Sequence, residues 1–258
     1  MKTVVFIHGW ATGGFVWREI IEGLKDSYKC VSMGLPSHQG SMLWDEPSLA
    51  PAVKEMAGLF QGLKDKDVVA IGWSLGAEAL IEFSAQNPGA LKGIVLAGAT
   101  PCFTERQGFP WGRPGLLVKR MLMDMKKDPA KTLSRFYRLL FTDKELEMSE
   151  AKRFLAGCEE FQGSFQVSGG LDHAGVINAL EALYRADLRG SLEKIKAPAL
   201  VVHGSLDSVV ALGAGEFLAS RIKGARLKPF EGAGHAPFIT IKDRFLKEVK
   251  GFVDALRA

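Results

Sequence analysis

Cysteine is scarce in this chain: Cys30, Cys102 and Cys158 are widely spaced, odd in number, and form neither a C-x-x-C pair nor a zinc-type spacing. That excludes a disulfide framework and a structural zinc module, and it points to structural thiols in a reducing cytoplasm. Charge of one sign is also in short supply. The formal net charge is +4, too small by itself to imply a nucleic-acid partner. No apolar run approaches the roughly 18–20 residues that would cross a bilayer, so no membrane span is expected. The apolar run near Met1 gives way at once to His8-Gly9-Trp10, where a signal peptide would need more apolar length and a small-residue cleavage site. Internal repeats and low-complexity segments are missing as well. What is present is an ordinary globular balance, 47% hydrophobic and 24% charged over 258 residues, enough for one α/β domain, with or without a large insertion.

Apolar runs typical of strands covered on both faces occur at Val4–Ile7, Val68–Ile71, Gly93–Ala97 and Ala199–His203, with further strands expected at Lys29–Met33 and Ala225–Phe230. Helical spacing separates them. Trp17, Ile20, Ile21 and Leu24 mark one helix, Leu49–Leu63 another, Leu75 to about Gln86 a third, and Lys242 to Leu256 the last. Strand and helix in alternation imply a parallel, doubly wound sheet with right-handed crossovers. The alternation breaks after Ala99-Thr100-Pro101. From 103 to 189 only helix-like stretches are found, at Leu116–Met125, Ala130–Phe141, Ser149–Phe161 and Ala174–Leu188. We therefore expect residues 1–102 and 190–258 to form the core and residues 103–189 a helical cap inserted over the C-terminal edge of the sheet.

The organising motif is Gly72-Trp73-Ser74-Leu75-Gly76, placed where a buried strand turns into a helix. That is the context of a G-x-S-x-G nucleophile elbow, in which a turn too tight for a flanking Cβ raises the serine hydroxyl above the sheet. A serine needs a base, and the base needs an acid to hold its tautomer. Ligands of a doubly wound sheet bind beyond the carboxyl ends of the strands, so partners are sought there. Asp207 follows the strand ending at His203, and His235 lies in the loop Glu231-Gly232-Ala233-Gly234-His235 after the last one. Ser, Asp, His is also the chain order this arrangement demands. Asp207 alone could equally be a turn-former or a helix cap. For the oxyanion, the backbone N–H of Leu75 and that of Trp10, in the Gly-rich loop after the first strand, are the expected donors. The Trp10 indole is left to wall an acyl pocket.

The remaining histidines are assigned lesser parts. His8 is expected to brace the glycine loop, His203 to be a satisfied core residue, and His38 to lie in a loose loop near the mouth; His173 falls in the cap. None gives a metal-ligand spacing, and neither metal nor cofactor is expected.

The chain resembles the α/β-hydrolase superfamily over its whole length, and within it the pimeloyl-[acyl-carrier protein] methyl ester carboxylesterases of biotin synthesis. The resemblance rests on His8-Gly9-Trp10, on Gly72-Trp73-Ser74-Leu75-Gly76 and on Gly234-His235-Ala236-Pro237-Phe238-Ile239. It implies an α/β-hydrolase fold and cleavage of the methyl ester of a pimeloyl chain on acyl-carrier protein, with release of methanol. It further implies substrate contacts from Trp10, Trp73, Ser74, Leu75 and His235, and an acyl channel lined by cap residues Phe136, Tyr137 and Leu140. The loop Gly34-Leu35-Pro36-Ser37-His38-Gln39-Gly40-Ser41 departs from the family's D-L-P-G-x-G-x-S.

One charge feature stands apart from these motifs. Between Arg113 and Lys144 there are nine basic residues against three acidic ones. Such a surface, including Arg135 and Arg138, would steer an acidic carrier protein, although solvated helix faces would look the same. The expected protein is a cytoplasmic, monomeric serine carboxylesterase acting on an acyl-carrier-bound or small ester. The alternatives are a broad esterase, thioesterase or carbon–carbon hydrolase with the same triad, and a hydrolase-fold protein that binds without turnover.

Overall fold

A computed structural model describes residues 1–39, 42–65, 67–163 and 172–256. Gly40 and Ser41 of the departing loop, and residues 164–171 of the expected insertion, lie outside the described residues.

The elements follow in the order β1 (Thr3–Ile7), α1 (Arg18–Leu24), β2 (Lys29–Met33), α2 (Ala50–Gly62), β3 (Val68–Trp73), α3 (Leu75–Gln86) and β4 (Gly93–Ala97). After β4 come α4 (Gly115–Lys127), α5 (Pro129–Leu139), α6 (Asp143–Leu146), α7 (Ser149–Gly163) and α8 (His173–Arg185). The sheet resumes with β5 (Ala199–Gly204), α9 (Leu212–Arg221) and β6 (Arg226–Phe230), and α10 (Pro237–Thr240) and α11 (Lys242–Ala255) close the chain. Among the described residues, short 3-10 turns also lie at Gly14–Trp17 and Arg189–Lys194.

The six strands pair in the order β2-β1-β3-β4-β5-β6, and every pairing is parallel. This is the doubly wound sheet expected from the alternation. β1, β3, β4 and β5 are buried along their whole length, whereas the edge strands β2 and β6 are partly open. Strands covered by helices on both faces have no polar side to show, and their sequences read as unbroken apolar runs for that reason.

Helix α9 left no legible pattern in the sequence. Two glycines interrupt it, and the packing explains both. A Cβ on Gly213 would lie 2.2 Å from the Trp111 ring, and one on Gly215 would lie 2.7 Å from Nδ1 of His203. Close approach to two rings takes the place of the apolar side chains by which a helix is usually recognised.

Because every strand pairing is parallel, the loops after β1, β3, β5 and β6 all open on the carboxyl edge of the sheet. Between β4 and β5, the described residues form the helices α4 to α8 and no named strand, only isolated bridges at Thr104–Arg113 and Arg106–Phe109.

Candidate active site

Ser74 sits between β3 and α3 with φ 53° and ψ −121°. A non-glycine residue held there costs on the order of 1–3 kcal/mol and persists only where its surroundings enforce it. They do so through backbone bonds: Ser74 N–H donates to Ala97 O (3.0 Å), and Ser74 O accepts from Ala77 N–H (2.8 Å) and Glu78 N–H (3.0 Å). The two glycines serve different constraints. A Cβ on Gly72 would meet Ala77 N and Gly76 O at 2.7 Å, the opposite arm of the elbow, as expected. One on Gly76 would instead strike His8 O at 2.4 Å and Ile7 O at 2.8 Å, so this glycine is required by the neighbouring strand and not by the turn itself.

Asp207 and His235 meet. His235 Nδ1 is 2.7 Å from Asp207 Oδ2, and both side chains are fully buried. A carboxylate can only accept, so Nδ1 carries the proton and Nε2 presents its lone pair. Nε2 has no hydrogen-bond partner among the described residues. The ring is close to the elbow: a Cβ on Gly98 would lie 2.9 Å from its Cε1, and Gly98 follows the Ala97 carbonyl that holds Ser74. Asp207 also makes the turn that was its alternative role. Its Oδ1 accepts from Val209 N–H and Val210 N–H, each at 2.8 Å. One oxygen thus fixes the loop while the other faces the imidazole. Burial alone would raise the Asp207 pKa, but the neighbouring His235, with hydrogen bonds from His203 and His235, holds it below the usual carboxylate range.

His203 is the residue whose sequence reading needs correction. It is not simply a satisfied core histidine: Nε2–H donates to Val210 O (2.9 Å) and lies 3.4 Å from Asp207 Oδ2, while Nδ1 has no partner among the described residues. The His203-to-Asp207 spacing across the end of β5 was the available signal, since a strand end and a tight turn can bring an imidazole and a carboxylate four residues apart together.

Trp73 is 1% exposed and its indole N–H donates to His235 O (3.0 Å), so it stands behind the histidine and supports that loop. Trp10 is equally enclosed. Its indole is not loose but donates to Val176 O of α8 (2.8 Å), and its ring meets Phe136 of α5 edge-on with centroids 4.9 Å apart. Tyr137 donates to the carbonyl of the next residue, Ala11. Leu140 is fully buried and accepts from His235 N–H through its carbonyl (2.8 Å). Leu75 begins α3, leaving its N–H at the positive end of the helix.

His8 braces its loop, with Nδ1–H donating to Gly9 O (2.9 Å) and Nε2 accepting from Leu35 N–H (3.0 Å). Burial, with a smaller push from His38, lowers its pKa to about 3. His38 does not border an open mouth. It is fully buried against His8 and Trp44, its Nδ1–H donating to Pro36 O, and burial lowers its pKa to about 4. Arg135 and Arg138 are exposed on α5. A cleft of about 530 Å³ opens between α7 and the Gly14–Trp17 turn, walled by Phe15, Phe154, Phe161 and Phe238. None of Ser74, Asp207 or His235 lines it, although Trp73 touches its Phe154 wall edge-on at 6.2 Å.

Such an arrangement can activate a hydroxyl against a carbonyl, and the comparisons bear on which one. A model of the alpha/beta hydrolase fold family matches residues 2–240. The pimeloyl-[acyl-carrier protein] methyl ester esterase of Nitrosomonas europaea is 29% identical over 94% of this chain and 92% of its own length. The protein of the same name from Aromatoleum aromaticum is 30% identical over 92% of each chain. Among solved structures, an esterase from Exiguobacterium antarcticum superposes with a TM-score of 0.87 at 25% identity, covering 99% of this chain and 92% of that one. A bromoperoxidase from Bacillus anthracis does so with a TM-score of 0.87 at 21% identity, over 98% and 92%, and shares the fold alone.

Proposed function

The chain belongs to the α/β-hydrolase fold family and is a carboxylic ester hydrolase, and we propose that it cleaves the methyl ester of a pimeloyl chain carried on acyl-carrier protein. The chemistry is carried by one observation, the 2.7 Å bond from His235 Nδ1–H to Asp207 that leaves Nε2 free beside the elbow. The substrate is supported by the two relatives of that name, which align over nearly the whole chain. The exposed basic residues Arg135 and Arg138 add electrostatic support, since a carrier protein of acidic surface would be drawn to them.

In this reading Ser74 Oγ attacks the ester carbonyl while its proton passes to His235 Nε2. Asp207, held anionic, stabilises the imidazolium and keeps its tautomer. The oxyanion accepts from the N–H groups of Leu75 and Trp10. Collapse breaks the bond to the methoxy oxygen, which leaves as methanol with the proton from Nε2. Water then gives a proton to Nε2, adds to the acyl-enzyme and releases the free acid, restoring the Ser74 hydroxyl. Residues 103–189 act as a cap whose Phe136, Tyr137 and Leu140 border the acyl chain.

The test is rescue of a biotin auxotroph lacking its own esterase, with methanol release from the carrier-bound methyl ester measured in parallel. The chain should rescue growth and its Ser74→Ala variant should not. Failure of the folded wild-type protein in both assays, with turnover of small aryl esters intact, would reject the pimeloyl substrate while leaving the ester hydrolase.

A further inference from the structure

The turn between α5 and α7 touches the loops of both the acid and the base. Leu139 O accepts from Ser208 Oγ (2.9 Å), next to Asp207. Leu140 O accepts from the N–H of His235 itself (2.8 Å). Glu145 reaches furthest: Oε2 accepts from Gly234 N–H (2.8 Å) and from Thr142 N–H (2.9 Å), and Oε1 accepts from the Thr240 hydroxyl. The Thr142 contact is half of a capping box that starts α6, with Glu145 N–H donating back to Thr142 Oγ1 (3.2 Å).

An ordinary capping box is a surface device worth about 1 kcal/mol to its own helix. This one is 5% exposed. Its carboxyl is shared between its own helix and a loop 89 residues away. Gly234 is pressed so close that a Cβ there would lie 2.7 Å from Leu140 O and 2.9 Å from Glu145 Oε2. The peptide that precedes His235 is therefore fixed from one side by Glu145, and the peptide of His235 itself by Leu140. Trp73 fixes its carbonyl from the other side.

We propose that Glu145 is a positioning residue for the catalytic histidine: by accepting from Gly234 N–H and Thr240 it sets where the His235 imidazole stands relative to Asp207 and Ser74. This rests on the triad reading above. The glutamate touches neither substrate nor reacting atoms and acts only through the loop. Misplacement of a base by a fraction of an ångström to 1 Å costs up to about 100-fold in rate. Glutamine can reproduce the acceptor pattern. With Oε1 turned toward Gly234 and Thr142, its amide N–H can donate to Thr240 Oγ1, which accepts as readily as it donates.

The test compares Glu145→Ala, Glu145→Gln and Thr240→Val in the full chain, by kcat and KM on a small aryl ester, the pH profile of kcat/KM, and the NMR resonance of the His235 Nδ1 proton. Glu145→Ala should lower kcat by roughly 10–100-fold with KM within about threefold. Its profile and its Nδ1 resonance should move. Glu145→Gln should recover most of kcat and restore the resonance. A wild-type kcat and resonance in Glu145→Ala would overturn the proposal, as would a Glu145→Gln variant as impaired as the alanine. If Glu145→Ala does not fold, Thr240→Val decides: a smaller kcat loss with a shifted resonance supports the role, and no change in either rejects it. Should the wild-type protein label at Ser74 with no fluorophosphonate and turn over no ester, the triad reading fails. The resonance still reports whether Glu145 sets the His235–Asp207 pair.

Discussion

Tyr137 of α5 donates its hydroxyl hydrogen to the carbonyl of Ala11, a residue held at φ 55° immediately after Trp10. The strained residue is thus tied down from outside its own loop. Trp10 is tied twice more, to Val176 and to Phe136. The N–H proposed to meet the oxyanion belongs to a segment fixed by helices α5 and α8.

We predict that Tyr137→Phe lowers kcat several-fold with little change in KM, because it frees Ala11 to relax and turns the Trp10 N–H away from its target. Leaving the buried carbonyl without a donor should also cost about 1–3 kcal/mol of stability. Steady-state kinetics with a denaturant titration separates the two effects, and an unchanged kcat would detach the clamp from catalysis.

Arg135 and Arg138 are exposed on α5. Reversing both to Glu should raise KM for a carrier-bound ester by roughly 10-fold or more at low salt, the difference shrinking as salt screens the charges, and should leave a small aryl ester unaffected. Equal KM values for the carrier substrate would remove these residues from its docking surface.

Glu78 lies one turn into α3, 1% exposed, with Oε2 unpartnered among the described residues, and burial raises its pKa well above the ordinary 4.5. The folded chain keeps this proton at pH values where the unfolded chain has released it. Stability attributable to the group is therefore lost as pH rises from about 4.5 toward the folded pKa. Glu78→Leu should stabilise the protein by about 1–3 kcal/mol at neutral pH and by less at pH 4. Melting temperatures at the two pH values check this; a pH-independent gain would contradict it.

His8 and His38 titrate in the opposite sense. Their ordinary value of 6.5 falls to about 3 and about 4 in the folded chain. The unfolded chain binds protons first on acidification, so stability is lost as pH falls below 6.5. Between pH 6.5 and 5 the loss should reach about 2 kcal/mol per histidine. Urea midpoints across that range should drop for the wild-type protein and drop less steeply for His38→Phe.

The central strands β1, β3, β4 and β5 were legible because they are covered on both faces and each reads as an apolar run, whereas the partly open edge strands β2 and β6 were expected at Lys29–Met33 and Ala225–Phe230 without such a run. Local chemistry was legible where it is confined to a few adjacent residues. Gly72-Trp73-Ser74-Leu75-Gly76 shows its turn in its glycines, and Asp207 and His235 stand out because they follow strand ends. Helix α9 was illegible because glycines occupy positions where rings press on the backbone.

What the sequence by itself determined, then, is the order of the layers and the identity of the groups at the strand ends, since strand burial and turn geometry are written in neighbouring residues. Tertiary structure alone decided who supports whom. That Trp73 holds His235 by its carbonyl, that His203 faces Asp207, that Tyr137 ties Ala11, and that Glu145 reaches Gly234 are contacts between residues 4 to 162 positions apart. The longer of these have no periodicity and no local motif, because a hydrogen bond across the fold depends on where two elements are packed and not on what flanks either residue in the chain.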